Sequence, residues 1–483
     1  MLRKNLMNQQ ESSSGNTIED KNIAPASIEN QNDVIQPENK MGVLPVKKLI
    51  VSMSIPMMIS MLVQALYNIV DSIFVSHVSE NALTAVTLAF PLQMMIISVG
   101  GGTGVGINAI LSKALGEKKQ KRANKAANNG ILLALIHYII FIPIGIYVAE
   151  PFIRSQTSDE SIAIMGSTYL GICCMLSIGV FLQMTFERLL QSTGRTLLSM
   201  ISQVTGAVVN MILDPIMIFG LLGFPALGVE GAAYATVTGQ CVAATLGFFL
   251  NRRYNKEIKI SVKKIFKPSW KTIKKIYAIG IPSILMMSIG SVMSYLMNKI
   301  LDTFSSTAVA VFGAYFKLQS FIFMPVFGLN NGLIPVLAYN YGARRKDRIR
   351  EALSFSLKLA MSIMICGMLI FWLLPSVLLR LFDASDNMIE LGVPALRIIS
   401  LSFPIAGACI AMGSIFQAFA KSNYSLVISI GRQLVVLIPA AWFLAQFGNL
   451  NYVWFAFPIA ELASLLLSLF YFRRINRKIV DKL

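Results

Sequence analysis

Charged residues are scarce in this chain of 483 residues: they make up 14% of it, whereas a typical soluble domain carries about 25%. Histidine is scarcer, with only His77 and His137, and the five cysteines form no CxxC pair. The sequence also lacks a Walker motif. These absences argue against a metal centre, a disulfide scaffold and direct use of ATP.

What is abundant is apolar sequence: 55% of the residues are hydrophobic and the mean hydropathy is +0.64. Twelve apolar runs of membrane-spanning length lie between residues 49 and 472. The composition therefore predicts an integral membrane protein, with the lipid bilayer as its main partner.

The basic residues are unevenly distributed over the connections between these runs. Every second connection is rich in lysine and arginine, as in 113–125, 251–275 and 344–350, and the alternate connections carry almost none. Cytoplasmic loops are the basic ones, so both termini are predicted in the cytoplasm of a multi-pass plasma-membrane protein. The net charge of +18 is thereby explained without nucleic-acid binding.

The second half of the chain repeats the first at a shift of 226 residues, which carries Pro56 to Pro282 and Gly102 to Gly328. Each unit holds six runs, so both units cross the membrane in the same direction. This pattern predicts an all-α fold with twelve transmembrane helices in two parallel six-helix repeats around a central cavity. We call the repeats the N-lobe and the C-lobe.

The predicted boundaries follow from composition along the chain. They are a disordered cytoplasmic tail (1–44), the N-lobe (45–250), a basic cytoplasmic linker (251–275), the C-lobe (276–472) and a basic cytoplasmic tail (473–483). Part of the linker is predicted to form an amphipathic surface helix.

Two acids, Asp71 and Asp214, interrupt apolar runs of the N-lobe. A carboxylate at that depth costs at least ~2.5–3.5 kcal/mol, so such a residue indicates function. The shift of 226 residues places Met297 and Ala440 at the equivalent C-lobe positions. The acids are thus a property of one lobe only.

Each acid lies on a polar helix face. Spacings of i, i+3, i+4 and i+7 relate Gln64, Tyr67, Asn68 and Asp71. Asn210 precedes Asp214 by one turn, and Thr236 is a candidate hydroxyl partner. These oxygens could bind Na⁺, the acids could share protons, or they could satisfy buried donors structurally.

Two prolines accompany the acids. Pro56 lies in the run of Asp71, and Pro215 follows Asp214 directly. Because proline removes a helical hydrogen bond and clashes with the carbonyl four residues back, each marks a candidate helix-bending position. In the C-lobe, Arg397 and Lys299 are candidate cavity residues, whereas Arg432 and Glu461 could line a cavity or pair locally.

The chain resembles the multidrug and toxic compound extrusion (MATE) transporters over nearly its whole length after about residue 45. The similar segments are IPMMISMLVQALYNIVDSIFVSHV, NMILDPIMIFG and LGVEGAAYAT. The resemblance implies export of small, often cationic amphipathic drugs in exchange for Na⁺ or H⁺, with no other cofactor. It also implies a cation site formed by Asp71, Asn210, Asp214 and Thr236. Some branches place acids in the first and fourth helices of the C-lobe, and the absence of acids at the equivalent positions Met297 and Ala440 favours the N-lobe, DinF-like type. We expect a monomer.

Three alternatives have different requirements. A lipid-linked oligosaccharide flippase of the same superfamily would use a strongly cationic cavity, to which Lys299, Lys317, Arg397 and Arg432 could contribute. A membrane-embedded enzyme would need a nucleophile and base, and the chain has two histidines and a duplicated architecture. A passive channel would not need paired acids in one lobe only. We therefore expect a transporter and not an enzyme.

Overall fold

The computed structural model describes residues 39–382 and 384–483, and within them every regular element is helical. The N-terminal half comprises α1 (Lys40–Val43), α2 (Val46–Ser76), α3 (Glu80–Gly116), α4 (Gln120–Tyr147), α5 (Ala149–Arg154), α6 (Glu160–Met175), α7 (Ile178–Ser192), α8 (Thr196–Phe219) and α9 (Val229–Tyr254). A short 3₁₀ turn, Leu221–Gly223, connects the last two.

The C-terminal half comprises α10 (Val262–Ile265), α11 (Trp270–Asp302), α12 (Ser306–Gly342), α13 (Lys346–Leu373), α14 (Pro375–Arg380), α15 (Asp386–Ser400), α16 (Phe403–Ala418), α17 (Ser422–Ile430), α18 (Ile438–Ala445), α19 (Leu450–Trp454) and α20 (Ala456–Lys478). A π-helical segment, Gly431–Leu437, joins α17 to α18, and a 3₁₀ turn, Val480–Lys482, follows α20.

Twelve membrane spans result from these helices. Ten segments of the described chain are long and apolar enough to cross a bilayer, and two bent helix pairs supply the fourth and tenth spans. The pair α6–α7 bends by 47° and the pair α15–α16 by 45°. The two bends fall at equivalent points of the repeat. The predicted twelve-helix, two-lobe fold is confirmed.

Glycines allow the two lobes to approach closely. A Cβ atom on Gly102 of α3 would lie 2.8 Å from the backbone nitrogen of Ile284 in α11. At the equivalent C-lobe position, a Cβ on Gly328 of α12 would lie 2.5 Å from Cα of Met58 in α2. Real Cβ atoms do not approach backbone so closely, so only glycine fits at these two crossings.

Glycines also bring the C-terminal ends of α3 and α12 close together. A Cβ on Gly116 would lie 2.0 Å from the carbonyl oxygen of Tyr339, and a Cβ on Gly342 would lie 2.2 Å from that of Lys113. The two glycines are equivalent by the shift of 226 residues. The lobes are therefore in backbone contact at the C-terminal ends of α3 and α12.

The last six residues of the predicted tail, 39–44, contact both lobes. Residues 1–38 lie outside the described residues, but 39–44 are folded: Met41 is fully buried, and its carbonyl accepts a hydrogen bond from Asn340 Nδ2 (3.2 Å). Asn39 Nδ2 donates to the Thr193 carbonyl of the N-lobe (2.9 Å), and Arg348 of the C-lobe donates to the Leu44 carbonyl (2.7 Å). The boundary at residue 44 was wrong, because polar groups of both lobes hold this segment.

The predicted linker contains one short helix. Helix α9 continues to Tyr254, α11 begins at Trp270, and the only helix between them, α10, has four residues. Asn128 of α4 fixes the linker by donating to the Lys259 carbonyl and accepting from the Ser261 N–H, both at 2.9 Å. The linker thus adheres to the N-lobe.

The glycine crossing gives a test within one helix. We expect Gly342→Ala to lower the melting temperature and export, because its Cβ would overlap the Lys113 carbonyl and overpacking typically costs about 1–3 kcal/mol. Gly313→Ala is the matched control, since no atom lies within 4 Å of a Cβ there. Thermal unfolding of the detergent-purified variants measures both. Equal melting temperatures for the two variants would contradict the close crossing.

Candidate functional site

The predicted N-lobe residues of α8 and α9 meet inside the lobe. Asn210 Nδ2 donates to Asp214 Oδ1 (3.2 Å) and to Thr236 Oγ1 (3.4 Å). Asp214 is fully buried, and Asn210 and Thr236 are 3% and 5% exposed. The structure therefore brings together the amide and the acid that helical spacing related and the hydroxyl of Thr236 that was their candidate partner.

Asp71 joins this group from α2. Its carboxylate lies within range of electrostatic interaction with Asp214. The Tyr67 hydroxyl lies within the same range of both acids. Tyr169 and Cys173 of α6 also lie within electrostatic range of Asp71. We call Asp71, Asn210, Asp214 and Thr236 the N-lobe acid site.

Three oxygens of the N-lobe acid site are buried without a hydrogen-bond partner among the described residues: Asp71 Oδ1, Asn210 Oδ1 and Asp214 Oδ2. A buried acceptor left unsatisfied costs about 1–3 kcal/mol, and more when it is charged. Carboxylate and amide oxygens are the ligands preferred by hard cations, and a proton would serve a carboxylate equally. The arrangement is suited to a small cation or protons.

The predicted polar face of α2 contains both partly buried and exposed side chains. Gln64 Oε1 accepts a hydrogen bond from Gln203 Nε2 of α8 (3.1 Å), and Tyr67 is partly buried, whereas Asn68 is exposed. Gln203 and Tyr169 were not predicted. Gln203 lies seven residues before Asn210, two turns away on the same helical face, and that spacing could have indicated it.

Neither proline ends its helix: α2 runs through Pro56 and α8 through Pro215. The carbonyl of Ser52, which Pro56 deprives of its helical donor, accepts a hydrogen bond from Thr196 Oγ1 (3.3 Å). A hydroxyl of α8 thus stabilises α2 at its weakest turn. The helix-bending role of both prolines stays a prediction.

The C-lobe candidates lie apart from the N-lobe acid site. Lys299 is exposed, with Nζ 5.7 Å from the centre of the Tyr295 ring, and Arg397 is exposed on α15. Their cavity role also stays a prediction. Met297, equivalent to Asp71, is fully buried in the apolar core of the C-lobe.

One polar contact between the lobes was not predicted. Arg188 of α7 donates from Nη1 to Gln191 Oε1 (2.8 Å) and to Asn331 Oδ1 of α12 (3.3 Å). Gly104 of α3 makes room for the arginine, since a Cβ there would lie 2.8 Å from its Cγ. This contact lies near the C-terminal end of α7.

Within residues 39–382 and 384–483, no three His, Cys, Asp or Glu side chains cluster in a way that could hold a metal ion. The N-lobe acid site has two acids, supplemented by an amide and a hydroxyl. Such a set is suited to transient binding of a monovalent cation or a proton rather than to a resident transition metal.

Comparison with known proteins follows the repeat. The MatE family model matches residues 56–216 and 282–443, once in each lobe. Multidrug export protein MepA of Staphylococcus haemolyticus is 27% identical over 445 residues, covering 90% of this chain and 95% of MepA. The FAD transporter of Shewanella oneidensis is 26% identical, covering 86% and 92% of the two chains. The outward-facing conformation of a multidrug resistance MATE family transporter of the MOP superfamily has a TM-score of 0.85 and 26% identity, over 93% of this chain and 99% of that one.

The unsatisfied acids make a prediction about stability. We expect Asp214→Asn to raise the melting temperature by a few degrees in Na⁺-free buffer above neutral pH, because the amide keeps the shape of the carboxylate and removes its repulsion from Asp71. Asp302→Asn, at the exposed end of α11, is the control and should change little. A loss of stability on Asp214→Asn would mean that the acid has a structural role.

Proposed function

The chain belongs to the MATE family, whose members are transporters and not enzymes, and we propose that it is a multidrug efflux antiporter of the plasma membrane. It exports amphipathic, often cationic compounds while Na⁺ or H⁺ enters through the N-lobe acid site. The observation that carries the proposal is the set of three partnerless oxygens on Asp71, Asn210 and Asp214, buried inside one lobe.

Exchange requires that ion and substrate favour different states of the carrier. In the proposed cycle, a cation or proton reaches the N-lobe acid site from outside and lowers the affinity for substrate. The carrier then closes outside and opens inside, and the ion leaves. The lobe contacts at Gly116, Gly342 and Arg188 have to separate in the second half of this cycle.

Helix α2 is the element best placed to transmit the change. It carries Asp71 in its outer half, and its inner half packs against Gly328 of the C-lobe at Met58. These positions are thirteen residues apart, or roughly 20 Å along the helix axis. Neutralising Asp71 therefore acts on the same rigid element that forms the lobe interface, with Pro56 as the proposed point of adjustment.

The substrate class rests on similarity and on charge. The relative MepA is a multidrug export protein and another relative is an FAD transporter, so proteins similar to this chain carry more than one class of substrate. A strongly cationic cavity, as a flippase for pyrophosphate-linked sugars would need, is not supported by Arg432, whose guanidinium is paired with Glu461. We therefore favour cationic amphipathic substrates and a monomeric carrier.

The central test is conservative removal of one acid. We expect Asp71→Asn to reduce export of an ethidium-type dye from cells at least tenfold with normal membrane expression, because the amide cannot exchange a charge with the coupling ion. Glu80→Gln, an exposed acid at the start of α3, is the control and should transport normally. Dye efflux and drug resistance are the measurements. Normal drug resistance in cells carrying Asp71→Asn would contradict the proposal.

Proteoliposomes then identify the ion. With a Na⁺ gradient and a proton gradient imposed separately, one of them should drive dye transport in the wild type and neither should do so in Asp71→Asn. Transport that responds to neither gradient in the wild type would count against antiport. FAD supplied as a second substrate distinguishes an anion carrier from a drug exporter.

A further inference from the structure

Another intramembrane carboxylate, Glu461, lies in the C-lobe, and it has a cationic partner, which Asp71 and Asp214 of the N-lobe lack among the described residues. Arg432 lies in the π-helical segment Gly431–Leu437. Its Nη1 donates a hydrogen bond to Oε1 of Glu461 on α20. The Glu461 side chain is 8% exposed and that of Arg432 is 31% exposed. The second carboxylate oxygen, Oε2, is buried and has no hydrogen-bond partner among the described residues.

The pair belongs to the interior of the C-lobe. Both charges act electrostatically on Tyr315 of α12, which is 2% exposed. The Tyr315 ring packs against Phe371 of α13 and Phe457 of α20, with centroids 6.4 and 5.9 Å away. An acid in these surroundings would be costly without a cation, and here the cation is a side chain of the protein.

The repeat relates this pair to the N-lobe acid site. The shift of 226 residues carries Arg432 to Gly206, one turn before Asn210 on α8. It carries Glu461 to Ala235, the neighbour of Thr236 on α9. The Arg432–Glu461 pair and the N-lobe acid site therefore lie between equivalent helices of the two lobes, at nearly the same level along the repeat.

We propose that Arg432 is a built-in cation for Glu461. It permanently neutralises the Glu461 carboxylate, as the transported ion transiently neutralises Asp71 and Asp214. The C-lobe carboxylate is then compensated in every state of the cycle and takes no part in ion exchange. The π-helical turn widens the helix at Arg432, and such turns recur at functional positions of α-helices. This inference rests on the proposed function for its meaning in the cycle, but the pairing itself can be tested without transport.

The first arm measures charge compensation. We expect Arg432→Gln and Glu461→Gln each to lower the melting temperature by several degrees, because each leaves one buried charge unpaired. The double variant Arg432→Gln/Glu461→Gln should recover most of the loss and export dye with the ion-to-substrate ratio of the wild type. If the double variant is stable but has lost coupling, Glu461 is itself an ion carrier and the proposal is wrong.

The second arm removes the N-lobe acids, so that it stays informative even if antiport through Asp71 is disproved. In a protein carrying Asp71→Asn and Asp214→Asn, adding Arg432→Ala leaves Glu461 without its cation. We expect Na⁺, Li⁺ or guanidinium chloride, at low concentration and compared with choline chloride at equal ionic strength, to raise the melting temperature of this variant. The same background without Arg432→Ala should not respond.

The control for the second arm is Arg432→Ala/Glu461→Gln in the same background, in which any cation response should disappear. A response that depends on Glu461 supports the built-in cation. The absence of stabilisation by all three cations would overturn the proposal, and so would a response of equal size in the Glu461→Gln control.

Discussion

A carboxylate inside a membrane protein has to meet a cation or a proton, and the rest of this structure depends on how the two lobes satisfy that requirement. In the N-lobe, Asp71 and Asp214 lie within range of electrostatic interaction, and each has a buried oxygen that accepts no hydrogen bond from the described residues. In the C-lobe, Glu461 is matched by Arg432. The same physical cost is thus left open in one repeat, where an ion can relieve it, and closed in the other.

The two lobes of the duplicated fold contact one another through close helix crossings. Glycines at equivalent positions, Gly102 with Gly328 and Gly116 with Gly342, let α3 and α12 approach the opposite lobe as closely as backbone permits. Close-packed crossings of this kind favour discrete arrangements over continuous deformation. In the proposed cycle, a change of charge at Asp71 therefore acts on α2, which is part of both the N-lobe acid site and the lobe interface.

Much of this was predictable because membrane sequences are tightly constrained. The twelve spans follow from hydropathy, the two lobes from the shift of 226 residues, and the grouping of Asn210 with Asp214 from helical spacing. What sequence could not supply was contact between helices distant in the chain. Gln203 meets Gln64, and Arg188 meets Asn331. For Arg432 and Glu461 the sequence left cavity lining and pairing open, and the structure shows that they pair. The fold of residues 39–44 was also missed, because a polar segment reads as a tail until its partners on both lobes are known.

Reciprocal linkage between ion and substrate tests the central claim most directly. The measurement is the Kd of an ethidium-type dye for the purified protein, titrated against Na⁺ and, separately, against pH. Exchange through Asp71 and Asp214 predicts that one of these ions weakens dye binding in the wild type, whereas the affinity of Asp71→Asn/Asp214→Asn does not change with either ion. Dye affinity that is independent of both ions in the wild type, or an unchanged ion dependence in the double variant, would contradict coupling through the N-lobe acid site.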